Sequence, residues 1–178
     1  MSDFAIAEAP AAVVVRPARP EDLDAVAGIY TPFVSDSLVT FELEPPDRAE
    51  WLRRHEHVTA AGLPFLLAEV DGRAAGYAYC TPWRTRPAYH GTVEDSIYVA
   101  PWAAGRGIGG RLLDALLTAC GQADVRQVLA VVVDTGDPAS VALHRSRGFT
   151  DAGRLRGVGV KHGRTLDTVL LQRSLVSD

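Results

Sequence analysis

Apolar and polar residues alternate along this chain with two periods, one typical of strands and one typical of helices. Short apolar runs predict seven strands, at residues 13–17, 64–70, 74–81, 91–99, 128–133, 150–160 and 165–175. Apolar residues at helical spacing predict four helices, which begin near residues 20, 47, 108 and 138. The order β-α-α-β-β-β-α-β-α-β-β predicts one α+β domain, with a mixed, mostly antiparallel sheet flanked by helices.

Turn and cap residues mark the ends of several of these elements. Pro20, followed by two acidic residues, predicts a helix start, because proline and negative charge both suit the first helical turn. Asp47 predicts the N-cap of the second helix. The Asp71-Gly72 pair predicts a tight hairpin turn. Between the first two helices, residues 37–46 predict a loop with an extended piece.

Length and charge narrow the class of protein. The 178 residues, 47% of them apolar, suit a single domain with a sizeable core. A formal net charge of −4 argues against a nucleic-acid partner. No apolar run approaches the about 18 residues of a membrane span, and the N-terminus lacks the basic region of a secretory signal. We therefore expect a flexible tail at residues 1–12, one domain at residues 13–175 and a cytoplasmic location.

The cysteines and histidines do not predict a metal site. Cys80 and Cys120 lie in apolar segments, so we interpret both as buried free thiols. His55 and His57 are two residues apart on a predicted helix and therefore do not face each other. We expect no bound metal.

The candidate chemistry centres on a glycine-rich turn between a predicted strand and the third helix. The turn consists of Gly105, Arg106, Gly107, Ile108, Gly109 and Gly110. The first N–H groups of a helix have no intrahelical acceptor and lie at the positive end of its dipole, so they bind anions. Glycine also leaves the backbone open to a phosphate. The pattern predicts a phosphorylated ligand, in particular a diphosphate; an ordinary glycine-rich turn is the alternative.

The glycine spacing differs from two common phosphate-binding motifs. A dinucleotide fingerprint reads G-x-G-x-x-G with an acid about 20 residues later, and a P-loop needs G-K-[ST]. This sequence has neither pattern. Residues 104–109 instead resemble motif A of the GCN5-related N-acetyltransferases (GNAT), Q/R-x-x-G-x-G/A. Ala104 departs from the first position, which removes one side chain from the loop and keeps its backbone amides.

A second GNAT motif follows at the family spacing. Residues 138–149 resemble motif B, N-x-x-[SA]-x-x-[LF]-[YH]-x-x-x-G-[FY]. The matching positions are Ser140, Leu143, His144, Gly148 and Phe149. Asp137 stands where the family usually has an asparagine that helps to bind the pantetheine arm, so that contact is expected to change.

The resemblance to GNAT enzymes implies acetyl-CoA as co-substrate. Its pyrophosphate is expected at residues 105–110, and its pantetheine arm near Asp137 and Ser140. Its thioester is expected beside Ile97, Tyr98 and Val99. Separation of this strand from the next would expose backbone amides there, so that the Val99 N–H donates to the oxyanion.

Three further segments resemble the phosphinothricin acetyltransferases and their relatives that acetylate methionine sulfone and sulfoximine. The segments are residues 40–45 (TFELEP), 82–94 (PWRTRPAYHGTVE) and 161–163 (KHG). At residues 165–167 this chain reads TLD, whereas that family usually has a tryptophan before the aspartate. The shape of the amino-acid pocket is therefore expected to differ. The resemblance implies antibiotic or herbicide resistance and a homodimer with sites near the interface.

The resemblance also assigns roles to two residues. Glu94 has the family position of the general base. It lies in an otherwise apolar strand, where burial raises a carboxyl pKa toward values useful for deprotonating an amine, directly or through one water. A structural carboxylate paired with Arg84 or Arg86 is the alternative. His144 stands where many GNAT enzymes carry a tyrosine proposed to protonate the departing thiolate; a helix histidine with satisfied hydrogen bonds is the alternative.

Two loops are expected to bind the amino acid. Arg84 and Arg86 carry guanidinium groups that match a carboxylate or phosphinate. Because they are two residues apart in an extended loop, they point to opposite sides, and one of them is expected to reach the site. Solvated surface arginines are the alternative. Phe41, Tyr89 and Trp83 are candidates for the pocket walls, although core packing is the expected role of Trp83.

The leading function is therefore transfer of an acetyl group from acetyl-CoA to the α-amino group of a small amino acid. A non-catalytic acyl-CoA-binding module is a second possibility, since Ala104 and Asp137 depart from the cofactor motifs, but Glu94 argues against it. Within the enzyme class, a polyamine, an aminoglycoside or a protein N-terminus is the alternative acceptor. Polycations favour an acidic pocket, whereas the loop at residues 82–90 is basic.

Overall fold

The structure, a computed structural model, describes residues 12–176. Its strands are β1 (Val13–Pro17), β2 (Phe65–Val70), β3 (Arg73–Pro82), β4 (Thr92–Val99), β5 (Gln127–Val133), β6 (Thr150–Lys161) and β7 (Arg164–Ser174). Its helices are α1 (Leu23–Asp36), α2 (Arg48–Ala60), α3 (Ile108–Gln122) and α4 (Ala139–Arg145). The predicted order is confirmed, and no strand boundary moves by more than one residue. Residues 1–11 of the predicted tail lie outside the described residues.

The strands form one mixed sheet that separates in its middle. The order is β1-β2-β3-β4-β5-β7-β6, and every neighbouring pair is antiparallel except β4 and β5. The parallel pair joins only Thr92–Glu94 to residues 127–129, although β4 and β5 both continue beyond these residues. The two central strands therefore separate beyond Glu94, as predicted.

Helices pack on both faces of the sheet. Neighbouring residues of β3 show this, because successive strand residues point to opposite faces. Tyr77 of β3 packs edge-on against Trp51 of α2, with ring centroids 5.6 Å apart. The adjacent Gly76 faces α3, where a Cβ atom would lie 2.8 Å from the Tyr98 carbonyl oxygen and 3.0 Å from Leu112. Only glycine fits at this position. Within residues 12–176, no helix combines the length and the apolarity needed to cross a bilayer.

An apolar stripe on α3 anchors that helix to the sheet. All five predicted positions are buried, namely Ile108, Leu112, Leu113, Leu116 and Leu117. Each such side chain contributes about 1.5–3 kcal/mol to folding when it leaves water. Cys120 continues the stripe, and its Sγ atom lies 3.3 Å from that of Cys80. Both cysteines are buried and free.

Most predicted caps and turns are confirmed. Asp47 Oδ1 accepts a hydrogen bond from the Glu50 N–H over 2.7 Å at the start of α2. Asp71 and Gly72 both have positive φ angles, 50° and 78°, as a tight hairpin turn requires. Residues 37–46 are irregular and form no strand. We call this segment the Phe41 loop.

Candidate active site

The gap between β4 and β5 opens next to Glu94. Glu94 is opposite Leu129 on the last paired rung of these strands. Beyond it, the Ala100 N–H donates to the Ala75 carbonyl over 2.8 Å, on the β3 side. Since successive strand residues direct their N–H groups to opposite edges, the Val99 N–H is directed into the gap. This direction agrees with the predicted role as donor to an oxyanion.

The glycine turn at the start of α3 leaves its backbone open. Gly105 and Gly107 have φ angles of 74° and 75°, a backbone conformation that residues with a side chain rarely adopt. Gly107 is the N-cap of α3, and no side chain caps this helix. A Cβ atom at either glycine would have no neighbour within 4 Å. Open backbone before an uncapped helix fits the pyrophosphate of acetyl-CoA.

The first turn of α3 lies close to β4 and to α4. A Cβ atom at Gly109 would lie 3.3 Å from Leu143 and 3.7 Å from a methyl carbon of Val99. The guanidinium of Arg147 occupies the space that a side chain at Gly110 would need. Arg147 was not identified from the sequence, because motif B leaves its position variable. Its guanidinium is paired with Asp114 of α3, with Nε 3.1 Å from Oδ1.

The strand residues of the predicted cofactor site present their backbone rather than their side chains. Ile97 and Val99 pack against the core beneath α3. Tyr98 points to the other face, where its ring centroid lies 4.8 Å from that of Tyr30. Ile108 is buried and Arg106 is exposed. The free amides of β4 are therefore the groups that line the gap.

Motif B places Asp137 and Ser140 at the start of α4. Asp137 Oδ1 accepts a hydrogen bond from the Ala139 N–H over 2.9 Å. Aspartate in place of the usual asparagine thus still provides an oxygen that accepts a hydrogen bond from the first N–H group of α4. Asp137 also lines a cavity of ≈ 530 Å³ between α4 and the β5–β7–β6 part of the sheet.

His144 is buried, with both ring nitrogens next to oxygen atoms. Nδ1 lies 2.7 Å from the Ser140 carbonyl oxygen, and Nε2 lies 2.9 Å from Asp95 Oδ2. Two acceptors favour the imidazolium form, in which both nitrogens donate. Burial by itself lowers the His144 pKa, but the hydrogen bond and charge of Asp95 outweigh it, so the pKa is raised. These contacts support the alternative of a histidine with satisfied hydrogen bonds.

Substitution of His144 is expected to give a pH-dependent loss of stability. His144→Gln should lower the free energy of unfolding by about 2–4 kcal/mol below pH ~6.5, because it leaves Asp95 buried without its charged partner. Since folding raises the His144 pKa, this contribution is full below the unfolded-state pKa and is lost as pH rises through the folded-state pKa. Urea unfolding of both proteins at about pH 6 and pH 9 measures the difference. A difference independent of pH would contradict the assignment.

Glu94 is half-buried on the face of the sheet that α1 and α2 cover. It lies opposite Thr81 of β3. Burial raises the pKa of Glu94, and the charge of Asp95 raises it further. Among the described residues, no ion pair joins Glu94 to Arg84 or Arg86. A raised pKa without an ion pair to these arginines is consistent with a base, and the catalytic role of Glu94 stays a prediction.

Arg84, Arg86 and Tyr89 lie on the exposed loop between β3 and β4. The loop follows the Pro82–Val93 pair, which is adjacent to the Thr81–Glu94 pair, so its base is close to the candidate catalytic residue. The Arg84 guanidinium carbon lies 5.3 Å from the centre of the Trp83 ring. The expectation that Trp83 packs in the core was wrong: Trp83 is partly exposed and lies outside the buried cluster, because it belongs to this loop.

Phe41 and a nearby cavity lie on the Glu94 side of the sheet. The Phe41 ring packs directly on Gly159 of β6, where a Cβ atom would lie 2.6 Å from Cε1. The cavity, of ≈ 360 Å³, lies between α2 and β3 and is lined by Glu50, Arg53, Arg54, His57, Tyr79 and Thr81. Sequence reasoning missed this cavity, since no motif links α2 to β3.

Comparisons with known proteins agree with this architecture. The acetyltransferase (GNAT) family matches residues 29–149. The chain is 48% identical over 164 residues to the phosphinothricin N-acetyltransferase of Alcaligenes faecalis, covering 92% of this chain and 83% of that one. It is 33% identical over 162 residues to the L-methionine sulfoximine/L-methionine sulfone acetyltransferase of Pseudomonas aeruginosa, covering 90% and 94%. The phosphinothricin acetyltransferase of Sinorhizobium meliloti, solved with acetyl-CoA, superposes with a TM-score of 0.87 at 41% identity, covering 92% and 88%.

The chain therefore belongs to the acetyltransferase (GNAT) family. It is an acetyl-CoA-dependent N-acetyltransferase, and the separated strands with the open glycine turn are the parts of the fold suited to its co-substrate.

Proposed function

We propose that this enzyme acetylates the α-amino group of a small amino acid that resembles phosphinothricin, methionine sulfone or methionine sulfoximine. The observation that carries the reaction is Glu94, a half-buried carboxylate with a raised pKa at the mouth of the β4–β5 gap. The substrate class rests on the relatives, which carry these names and align with nine-tenths of the chain.

The proposed reaction requires few protein groups. Acetyl-CoA supplies the activated acyl group. Glu94 takes a proton from the amine, directly or through one water, so that the nitrogen lone pair attacks the thioester carbon. The Val99 N–H, directed into the gap, stabilises the negative charge that forms on the carbonyl oxygen. When this intermediate collapses, the carbon–sulfur bond breaks, and the coenzyme A thiolate leaves and takes up a proton from solvent. Binding both reactants side by side supplies much of the rate.

A panel of acceptors tests the substrate class. Thiol release from acetyl-CoA should show the highest kcat/KM for amino acids such as methionine sulfone and phosphinothricin. Spermidine, an aminoglycoside and a short peptide with a free N-terminus serve as competing amines. A higher kcat/KM for any of these three would contradict the proposal.

The two loop arginines are proposed to recognise the acceptor, with Phe41 and Tyr89 as pocket walls. Removing the one that binds the substrate carboxylate, by Arg84→Gln or Arg86→Gln, should raise KM for amino acids about tenfold or more with little change in kcat. The effect should shrink for an amine that lacks the carboxylate, because the lost contact has no partner there. If both variants lose activity on amino acids and on simple amines equally, the arginines have a structural role.

We further propose that the enzyme is a cytoplasmic homodimer, and that its acetylation of a toxic amino acid confers resistance. The edge strand β6 supports assembly, because Leu155, Val158 and Val160 are 47%, 52% and 66% exposed. An exposed apolar edge strand favours pairing with another chain. Sedimentation should give twice the chain mass of 19.1 kDa. A single-chain mass at working concentrations would contradict the dimer.

A further inference from the structure

The Phe41 loop is held by charged side chains on both sides of Phe41. On one side, the Nζ atom of Lys161 donates to the Thr40 carbonyl over 2.9 Å and lies 3.4 Å from the Phe33 carbonyl oxygen. Lys161 is only 1% exposed. Burial lowers its pKa. An ammonium group taken out of water needs such hydrogen bonds, so the two carbonyls hold Lys161 and it holds the loop.

On the other side of Phe41, Arg54 of α2 binds the Glu42 carboxylate. The distance from Nη1 to Oε1 is 2.7 Å. The same guanidinium donates through Nε to Glu50 Oε1 over 2.8 Å, which fixes its orientation on the helix. The Arg54 and Glu42 side chains are 23% and 32% exposed. A partly buried, oriented pair holds its two segments together more firmly than an exposed one.

The Lys161 contact spans the separated part of the sheet. The Phe41 loop follows α1, which packs against β3 and β4, whereas β6 is at the far edge beyond β5 and β7. Lys161 and Gly159 of β6 nevertheless contact Thr40 and Phe41. The Phe41 loop therefore meets β6 across the region where β4 and β5 have separated.

The Arg54 contact lies on the Glu94 side of the sheet. Arg54 lines the ≈ 360 Å³ cavity together with Tyr79 and Thr81, and Thr81 is opposite Glu94. Burial raises the pKa of Tyr79, and the charge of Glu94 raises it further, whereas the charge of Arg54 lowers it. The anchored loop, the cavity and the candidate base thus surround one region of the sheet.

We propose that Arg54 and Lys161 are positioning residues that fix Phe41 as a wall of the acceptor pocket. The proposal rests on the proposed function in taking the acceptor to be an amino acid. A wall fixed before binding reduces the conformational entropy lost when the acceptor binds. The two anchors should therefore set the KM of the acceptor and leave acetyl-CoA binding and proton transfer by Glu94 unchanged.

Arg53 provides a matched control for Arg54. It is the adjacent residue, and it donates to the same Glu50 carboxylate over 2.7 Å. Its side chain is 66% exposed, and its ion pair is with Glu50 rather than Glu42. Arg53→Gln therefore removes the same charge from α2 without releasing the Phe41 loop.

The experiment compares Arg54→Gln, Arg53→Gln and Glu42→Gln by steady-state kinetics and by hydrogen exchange of residues 37–46. Arg54→Gln should raise the acceptor KM about five- to tenfold, with kcat and the acetyl-CoA KM within about twofold of wild type. Glu42→Gln should give the same result. The double variant of Arg54→Gln and Glu42→Gln should add little, because both substitutions break the same ion pair. Exchange in the loop should accelerate in these variants and not in Arg53→Gln.

The outcomes separate this proposal from the proposed function. An unchanged acceptor KM in Arg54→Gln, or an equal rise in Arg53→Gln, would overturn the anchoring role, and so would unchanged loop exchange. If wild-type enzyme acetylates another amine but no amino acid, the proposed function fails. The anchoring role would still be supported if Arg54→Gln raised the KM of that amine and accelerated loop exchange. Lys161→Met, which keeps the length of the side chain, should show the same pattern as Arg54→Gln.

Discussion

Glu94→Gln is expected to lower the turnover number by ~10²–10⁴-fold while the affinity for acetyl-CoA stays unchanged. Glutamine keeps the shape and hydrogen-bonding capacity of the side chain but does not accept the proton of the amine. The structure supports a large effect, because burial and the adjacent Asp95 raise the pKa of Glu94 above its ordinary value of 4.5. Thiol release at saturating substrates measures turnover, and calorimetry measures acetyl-CoA binding.

The pH dependence of activity distinguishes a base from a structural carboxylate. In the wild type, activity should fall on the acidic side as Glu94 becomes protonated, at a pH above that of an ordinary glutamate. In Glu94→Gln this limb should be displaced or absent. Glu56→Gln, on the exposed side of α2, controls for loss of one carboxylate. Full turnover of Glu94→Gln across the pH range would show that Glu94 is structural.

Gly107→Glu is expected to abolish detectable acetyl-CoA binding, a loss of about 100-fold or more in affinity. Two physical effects combine in this variant. The backbone at Gly107 has φ 75°, which costs about 1–2 kcal/mol for a residue with a side chain. The new carboxylate also lies at the uncapped start of α3, where it competes with and repels the pyrophosphate.

Two further variants separate these effects. Gly107→Ala introduces the backbone strain without the charge, so its binding should be intermediate. Gly121→Glu places the same charge near the other end of α3, where a Cβ atom has no neighbour within 4 Å, and should bind acetyl-CoA normally. Gly109→Glu should also lose binding, although it displaces Leu143 as well. Unchanged affinity in both Gly107→Glu and Gly109→Glu would refute the cofactor assignment.

Much of the fold was predictable because its signals are local. Alternation of apolar residues defines a strand within a few positions, and the Asp47 cap and the Asp71-Gly72 turn act on adjacent backbone. The α3 stripe, from Ile108 to Leu117, repeats at helical spacing and is buried as predicted. The separation of β4 from β5 followed from the family resemblance, and the strand pairing confirms it.

The contacts around the site were not predictable, because they join residues far apart in the chain. Asp95 and His144 are separated by 49 positions, and Lys161 and Thr40 by 121. A histidine in a helix has the same local sequence whether its partner is a carboxylate or water. Lys161 was noticed only as part of a family segment, and its buried position depends on the way β6 meets the Phe41 loop.

The most direct test of the central claim is product analysis after incubation of the enzyme with methionine sulfone and acetyl-CoA. The account predicts a product that carries one acetyl group on the α-amino nitrogen, with one thiol released per product formed. It further predicts that Glu94→Gln forms this product ~10²–10⁴-fold more slowly. Acetyl-CoA binding without any acetylated product from methionine sulfone, phosphinothricin or another α-amino acid would contradict the account.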